Sequence, residues 1–216
     1  MPPRSPEFGG YRPPEILPSV EAPPDVFAQW QRKATELMNP EKKHAPEQLG
    51  PDRPFPLIID GKEVPAFERA QFDGQSFELQ VYIPEIDTPI AEVRYRATGT
   101  ALVMGKTFVT DAYQKLGINS RLFQDMSNLH PDCTSVETKL DETNGFTYRN
   151  AVQDGMDPIS AIQLTPAAKI REKAGWVFDP KTSSLPAWDA ERRRWHVPDK
   201  EHNDTTVRLT YHRAKP

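Results

Sequence analysis

At 216 residues the chain has room for one domain of ordinary size plus extensions. Its 27 Lys and Arg against 31 Asp and Glu leave a formal net charge of -4, which argues against a protein that grips nucleic acid through its overall field. The single cysteine, Cys133, excludes an internal disulfide framework and a cysteine-based metal site, and no apolar run approaches the roughly 20 residues that cross a bilayer. With no charged-then-apolar pattern at its start, the chain is expected in the cytoplasm, or at a destination reached without a cleavable leader.

Of the 23 prolines, 14 fall in the first 65 residues, so the excess marks a region and not the whole chain. Residues 1–24 hold Pro2-Pro3, Pro13-Pro14 and Pro23-Pro24 with few apolar residues between them, a composition too poor in burial to offset ordering. This stretch reads as an extended tether, or as a proline-rich ligand for a partner module. From Asp25 to Met38, the residues Val26, Phe27, Trp30, Ala34 and Leu37 follow helical spacing, with Asp25 as N-cap and a stop at Asn39-Pro40. A second proline-rich linker is expected over 40–56, so residues 1–55 form an arm with one amphipathic helix and 56–216 the main domain.

Strands follow. Leu57 to Ile59 and Lys62 to Val64 flank Asp60-Gly61, a two-residue hairpin signal. Segments 77–84, 90–97 and 101–109 alternate apolar and polar residues, and their adjacency predicts an antiparallel meander. A glycine-containing turn at Gly117 leads into Ile118, Leu122, Phe123, Met126 and Leu129, one apolar stripe on a helix. After His130-Pro131, residues 134–140 read as a strand, and strand, helix, strand in that order implies a parallel crossover.

The start of that helix has unpaired N–H groups and a positive dipole end, so it suits an anion such as a diphosphate. Gln114-Lys115-Leu116-Gly117-Ile118-Asn119, with Val109 five positions ahead of Gln114, resembles the acetyl-coenzyme A signature of the GNAT superfamily of N-acetyltransferases. That signature is Arg or Gln, two residues, Gly, one residue, then Gly or Ala; Asn119 departs from it at the last position. The resemblance covers roughly residues 77–178. It implies an α+β fold with a mixed sheet: a meander, the cofactor turn and helix, a parallel fifth strand splayed from the fourth, and helices on both faces.

It also implies acetyl-CoA as cofactor and an amine acceptor, a small molecule or a protein. The diphosphate would fall to the backbone from Gln114 through Lys115, Leu116, Gly117, Ile118 and Asn119 to Ser120. The acyl and pantetheine portion would meet Phe108 and Val109, and Asn144 matches an Asn that the family places after its fifth strand. Glu137 is the candidate base beside the splayed opening, or else a solvated strand glutamate; Asp141 and Glu142 follow it. The tyrosine that usually serves as acid is replaced at the matching position by Arg171, which cannot donate a proton, and Tyr148 is the substitute.

Residues 145–164 read as an insertion, with a helix near 146–153 and a loop over 155–158. Pro166, an alanine-rich body and Gly175 bracket the last helix. The tail from 180 to 204 is polar, and Thr205 to His212 reads as a strand pairing with Trp176 to Phe178. Cys133 reads as a core filler beside His130, and His196, His202 and His212 are too scattered for a metal site. Two other readings stay open: a catalytically inactive fold that binds a protein partner, with residues 1–55 as a candidate contact, and a delivered effector or toxin with acetyltransferase activity.

Overall fold

A computed structural model describes residues 24–39, 44–140, 142–196 and 207–214. The chain opens with α1 (Pro24–Leu37), then β1 (Glu47–Gln48), β2 (Arg53–Pro54), β3 (Leu57–Ile59), β4 (Lys62–Val64), β5 (Phe67–Phe72), β6 (Phe77–Tyr82), β7 (Ala91–Thr98) and β8 (Ala101–Val109). A short 3-10 turn (Asp111–Tyr113) precedes α2 (Ile118–Leu129), β9 (Ser135–Lys139), α3 (Glu142–Gln153), α4 (Pro158–Gln163) and α5 (Pro166–Lys173). The chain closes with β10 (Trp176–Phe178), β11 (Ala187–Asp189), β12 (Arg194–His196) and β13 (Arg208–Arg213).

The main sheet has the order β1-β5-β6-β7-β8-β9-β13-β10, with β2 also paired to β5. Every pairing is antiparallel except β8 with β9. The fold is therefore α+β with a mixed sheet, and the expected meander is β6, β7 and β8. The parallel pair follows from α2 carrying the chain back across the sheet, and β10 joins β13 as expected.

Strand alternation sends two kinds of side chain to the two faces. On one face Ala70, Leu79 and Val93 share a row, as do Phe72, Phe77 and Tyr95, and Leu102, Val136 and Tyr211. All are buried, and the α2 stripe of Ile118, Leu122, Phe123, Met126 and Leu129 is buried with them. On the other face Gln71, Glu78, Gln80 and Glu92 form a hydrogen-bonded ladder, in which Gln80 Nε2 donates to Glu92 Oε2 at 3.0 Å and Gln71 Nε2 to Glu78 Oε2 at 2.7 Å.

The proline-rich segment before the sheet is not a free linker within its described part. Residues 47–48 and 53–54 pair along β5, because a proline at a sheet edge removes no donor the ladder needs. Strand β5 itself had no clear sequence signal, since a charged residue, Glu68, occupies an inward position of its alternation. The segment after α3 also differs: 158–163 is a helix, capped by Asp157, whose side chain accepts from Ser160 N. In the polar tail, β11 and β12 form a hairpin that sets Trp188 opposite Trp195. Residues 1–23 and 197–206, with His202 among them, lie outside the described residues.

Helix α1 packs on this core through Trp30 and Ala34, both wholly buried. Trp30 Nε1 donates to Pro51 O at 3.1 Å, and the Arg53 guanidinium lies over the rings of Phe27 and Trp30. Arg53 also pairs with Glu68 and with Asp125 of α2, joining α1, β5 and α2. No helix among the described residues is long and apolar enough to cross a membrane.

Candidate functional site

Strands β8 and β9 share only three rungs, Ala101 with Ser135, Leu102 with Val136 and Val103 with Glu137. Beyond Val103 the two strands part. A bulge in β8 accompanies the separation: Tyr95 pairs with Met104 and Val93 with Thr107, so β8 carries one more residue than β7 in that interval. Gly105 sits in the bulge, where an added Cβ would stand 3.1 Å from Arg94 O. Gly105, Lys106 and Thr107 are exposed in mid-strand because β9 has left their side.

The gap opens into a cavity of about 470 Å³. Met104 to Thr107 of β8 form one wall and Thr138, Lys139 and Leu140 the facing one. Asn119 and Phe123 of α2 border it, and Pro166, Ala167, Ile170 and Arg171 of α5 close it together with Asn144 of α3. Its walls thus come from β8, α2, β9, α3 and α5, with Val93 of β7, elements distant in the chain.

The start of α2 is an open cradle. Gly117 caps the helix at φ 76° and ψ 5° with no side-chain hydrogen bond to the first turn, and that turn holds no acidic residue. Lys115 is also left-handed, at φ 66°, which turns the backbone sharply into the helix. The first N–H groups of α2 therefore point outward with no side chain capping them. Gln114 lies outside this cradle, where its Nε2 donates to Asp111 Oδ1 at 2.7 Å.

Asn119, the departure from the signature, lines the cavity, and its Oδ1 is buried without a hydrogen-bond partner. Such an atom asks for an N–H donor from a ligand. Asn144 also lines the cavity, and its Oδ1 accepts from Ala167 N at 3.2 Å, fixing the first turn of α5. Arg171 is 8% exposed; its Nη2 donates to Thr138 Oγ1 at 3.2 Å, and its guanidinium lies 5.2 Å from the Tyr211 ring centroid.

Several expected positions fall elsewhere. Phe108 and Val109 do not line the cavity; the β8 wall is Met104 to Thr107, displaced by the bulge, and Phe108 instead lies under Lys106 Nζ at 4.6 Å. Tyr148 is wholly buried outside the cavity, donating its hydroxyl proton to Pro186 O at 2.5 Å, and burial pushes that hydroxyl above its ordinary range. Glu137 is exposed on the polar face, adjacent in sequence to the cavity residue Thr138 but on the other side of the sheet. Asp141 and the side chain of Glu142 lie outside the described residues.

Sequence reasoning passed over Met104 to Thr107, Phe123 and Glu92. A glycine in mid-strand, Gly105, was the signal for the first group. Glu92 is 9% exposed on the polar face, opposite Phe108 and next to the cavity residue Val93. The His130 and Cys133 pair is buried: Tyr95 Oη and His130 Nε2 lie 3.0 Å apart, and burial lowers His130 to about 4 and raises the Cys133 thiol. Neither a charged imidazole nor a thiolate is favoured there.

No family model matches the chain, and no curated protein does. Solved structures that resemble it include a Bacillus subtilis acetyltransferase in complex with CoA, at 11% identity over 63% of this chain and 76% of that one, with a TM-score of 0.36. A GNAT-family protein from Desulfovibrio desulfuricans shares 11% identity over 63% of this chain and 68% of that one, with a TM-score of 0.36. A cAMP-binding acyltransferase from Mycobacterium smegmatis shares 13% identity over 93% of this chain and 55% of that one, with a TM-score of 0.40. Identities of this size leave the assignment to the geometry of the chain itself.

Proposed function

We propose that the chain is an N-acyltransferase of the GNAT type, taking an acyl group from coenzyme A to an amine. One observation carries the reading: a cavity between two parallel strands that part after three rungs, bordered by a helix start with uncapped N–H groups. A nucleotide-linked thioester needs both features, an anion cradle for its diphosphate and a slot for its arm. The orphaned Asn119 Oδ1 supports the fit, since the arm of coenzyme A carries amide N–H groups.

When bound, acyl-CoA would supply an activated carbonyl. The chain's own contributions are four. The backbone from Gly117 to Ser120 holds the diphosphate, and Asn119 accepts an amide N–H. The backbone of Met104 to Thr107, released from β9, offers N–H groups to the arm and to an oxyanion. Asn144 positions α5 through its bond to Ala167 N. Glu137, exposed on the polar face where the strands part, takes the proton that the amine releases.

Titration of the purified protein with CoA by calorimetry, followed by thiol release with a panel of small and peptide amines, tests this reading. CoA binding that is lost in Gly117→Glu, together with amine-dependent thiol release, supports it. Absence of CoA binding by the unaltered chain overturns it.

A further inference from the structure

We propose that the chain forms a dimer by pairing the β10 edge of its sheet, antiparallel, with the β10 edge of a second copy. The inference does not depend on the acyltransferase reading. The main sheet runs from β1 to β10, with β2 also laid along β5. At the β5 end, β1 and β2 carry Glu47, Arg53 and Pro54, and charge and proline at an edge discourage further pairing. The other end is β10, Trp176-Val177-Phe178, with neither charge nor proline. Val177 is 57% exposed there.

The direction of the backbone groups on β10 follows from its pairing with β13. Trp176 stands opposite Arg213, Val177 opposite His212 and Phe178 opposite Tyr211. Ala214 N donates to Gly175 O at 2.8 Å and Asp179 N to Thr210 O at 2.9 Å, so Gly175 and Asp179 face β13. Facing residues alternate along an antiparallel ladder, which turns Val177 toward β13 as well, and turns the N–H and C=O of Trp176 and Phe178 away from it. Those groups meet no further strand among the described residues. A second β10 meets them when a two-fold axis passes at Val177. Trp176 of each copy then stands opposite Phe178 of the other, and each such pair exchanges two hydrogen bonds. The two Val177 side chains meet at the position between, where the strands' side chains stand closest.

Charge and shape fit the same register. A groove of about 510 Å³ runs beside β10, lined by Ile159 of α4 and by Glu172, the one charged residue among the described residues of its lining. With Gly175 opposite Asp179 of the second copy, the turn that enters one β10 runs beside the turn that leaves the other. Glu172 of each copy thereby comes within reach of Lys181 of the other. Both side chains are exposed, and neither forms an ion pair among the described residues. Symmetry makes the contact twice, and it is reciprocal. A strand from a different protein would use the same backbone groups, but nothing would bring a cation to Glu172 and an anion to Lys181 together. A second copy brings both.

Sedimentation equilibrium of the full chain should show a monomer that passes to a dimer as concentration rises. Hydrogen exchange at the Trp176 and Phe178 amides should slow over the same range, while the Val177 amide, already bonded to β13, should not change. Val177→Lys sets two like charges face to face and should weaken the dimer about ten-fold or more. Glu172→Lys and Lys181→Glu should each weaken it about three-fold or more, and the double variant should restore it, because the pair is then reversed and not removed. All three positions are exposed, so the substitutions leave the core as it is. A chain that stays monomeric at every concentration overturns the inference, and that measurement needs no variant. A dimer untouched by Val177→Lys overturns it too, since its contact then lies elsewhere, as does a double charge variant no tighter than either single one. Slow exchange at both amides that is independent of concentration also overturns it, because a segment of the same chain then fills the edge.

Discussion

Val103 and Glu137 form the last rung that β8 and β9 share. One residue further along each strand, Met104 and Thr138 face a cavity instead of each other. Glu137 marks the same point on the opposite, polar face, where it is exposed. The rung thus stands between the cavity on the α2 side and an exposed carboxylate on the other; in the proposed function the donor enters from the first and the acceptor from the second.

Glu137→Gln keeps the shape of the side chain and removes its capacity to take a proton. The expected outcome is a fall in kcat of about 10²-fold with unchanged CoA affinity. Steady-state thiol release and calorimetry on the same preparation check it. If Glu137→Gln is silent and Glu92→Gln carries the loss, the proton goes to the buried carboxylate that Gln80 holds at 3.0 Å.

Gly117 separates backbone strain from electrostatics. At φ 76° a side chain is disfavoured, yet an added Cβ meets nothing within 4 Å. Gly117→Ala and Gly117→Glu should therefore lose a similar amount of stability, about 1 kcal/mol. Only the glutamate should abolish CoA binding, by placing a carboxylate in the diphosphate cradle. Chemical denaturation and calorimetry separate the two effects, and equal CoA affinities in the two variants would refute the cradle.

Stability should fall as pH rises from about 6.5 to about 8. Burial pushes the Glu68 carboxyl up to about 8 from its ordinary 4.5, with the Asp125 charge adding and Arg53 opposing. Between those values the folded chain holds a proton that the unfolded chain has released, so raising the pH favours unfolding. Asp125, also raised, chiefly by burial, acts with the same sign. His130 acts oppositely and lower: burial brings it to about 4 from 6.5, so its contribution is lost as pH falls through that interval. Above pH 6.5 the opposing His130 contribution no longer changes, so the fall from Glu68 is unmasked. Melting temperature against pH should show the fall, on the order of 1–2 kcal/mol, and Glu68→Gln should flatten it.

Trp30 anchors α1. It is wholly buried, and its Nε1 donates to Pro51 O. Trp30→Ala should cost about 3–5 kcal/mol, and denaturant midpoints measure it. Trp30→Phe should recover much of the packing but leave Pro51 O without its donor. A change below about 1 kcal/mol in Trp30→Ala would mean that α1 adds little to the core.

Local pattern alone determined much of this protein. Period-two alternation located β6, β7 and β8, the 3.6-residue stripe located α2, and the order strand, helix, strand implied a parallel β8 and β9. Asp60-Gly61 turned as its residue types require, both at positive φ. These features depend on neighbours in sequence, so they are legible there. What the tertiary structure alone decided lies between elements distant in the chain. The bulge at Gly105 displaced the cavity wall from Phe108 and Val109 to Met104 through Thr107. The same is true of Glu68, whose charged side chain disguised β5 because its partner Arg53, and the Asp125 that shares that guanidinium, stand 15 and 57 positions away along the chain. A buried charge or a strand gap is set by what packs against it, and sequence spacing does not carry that information.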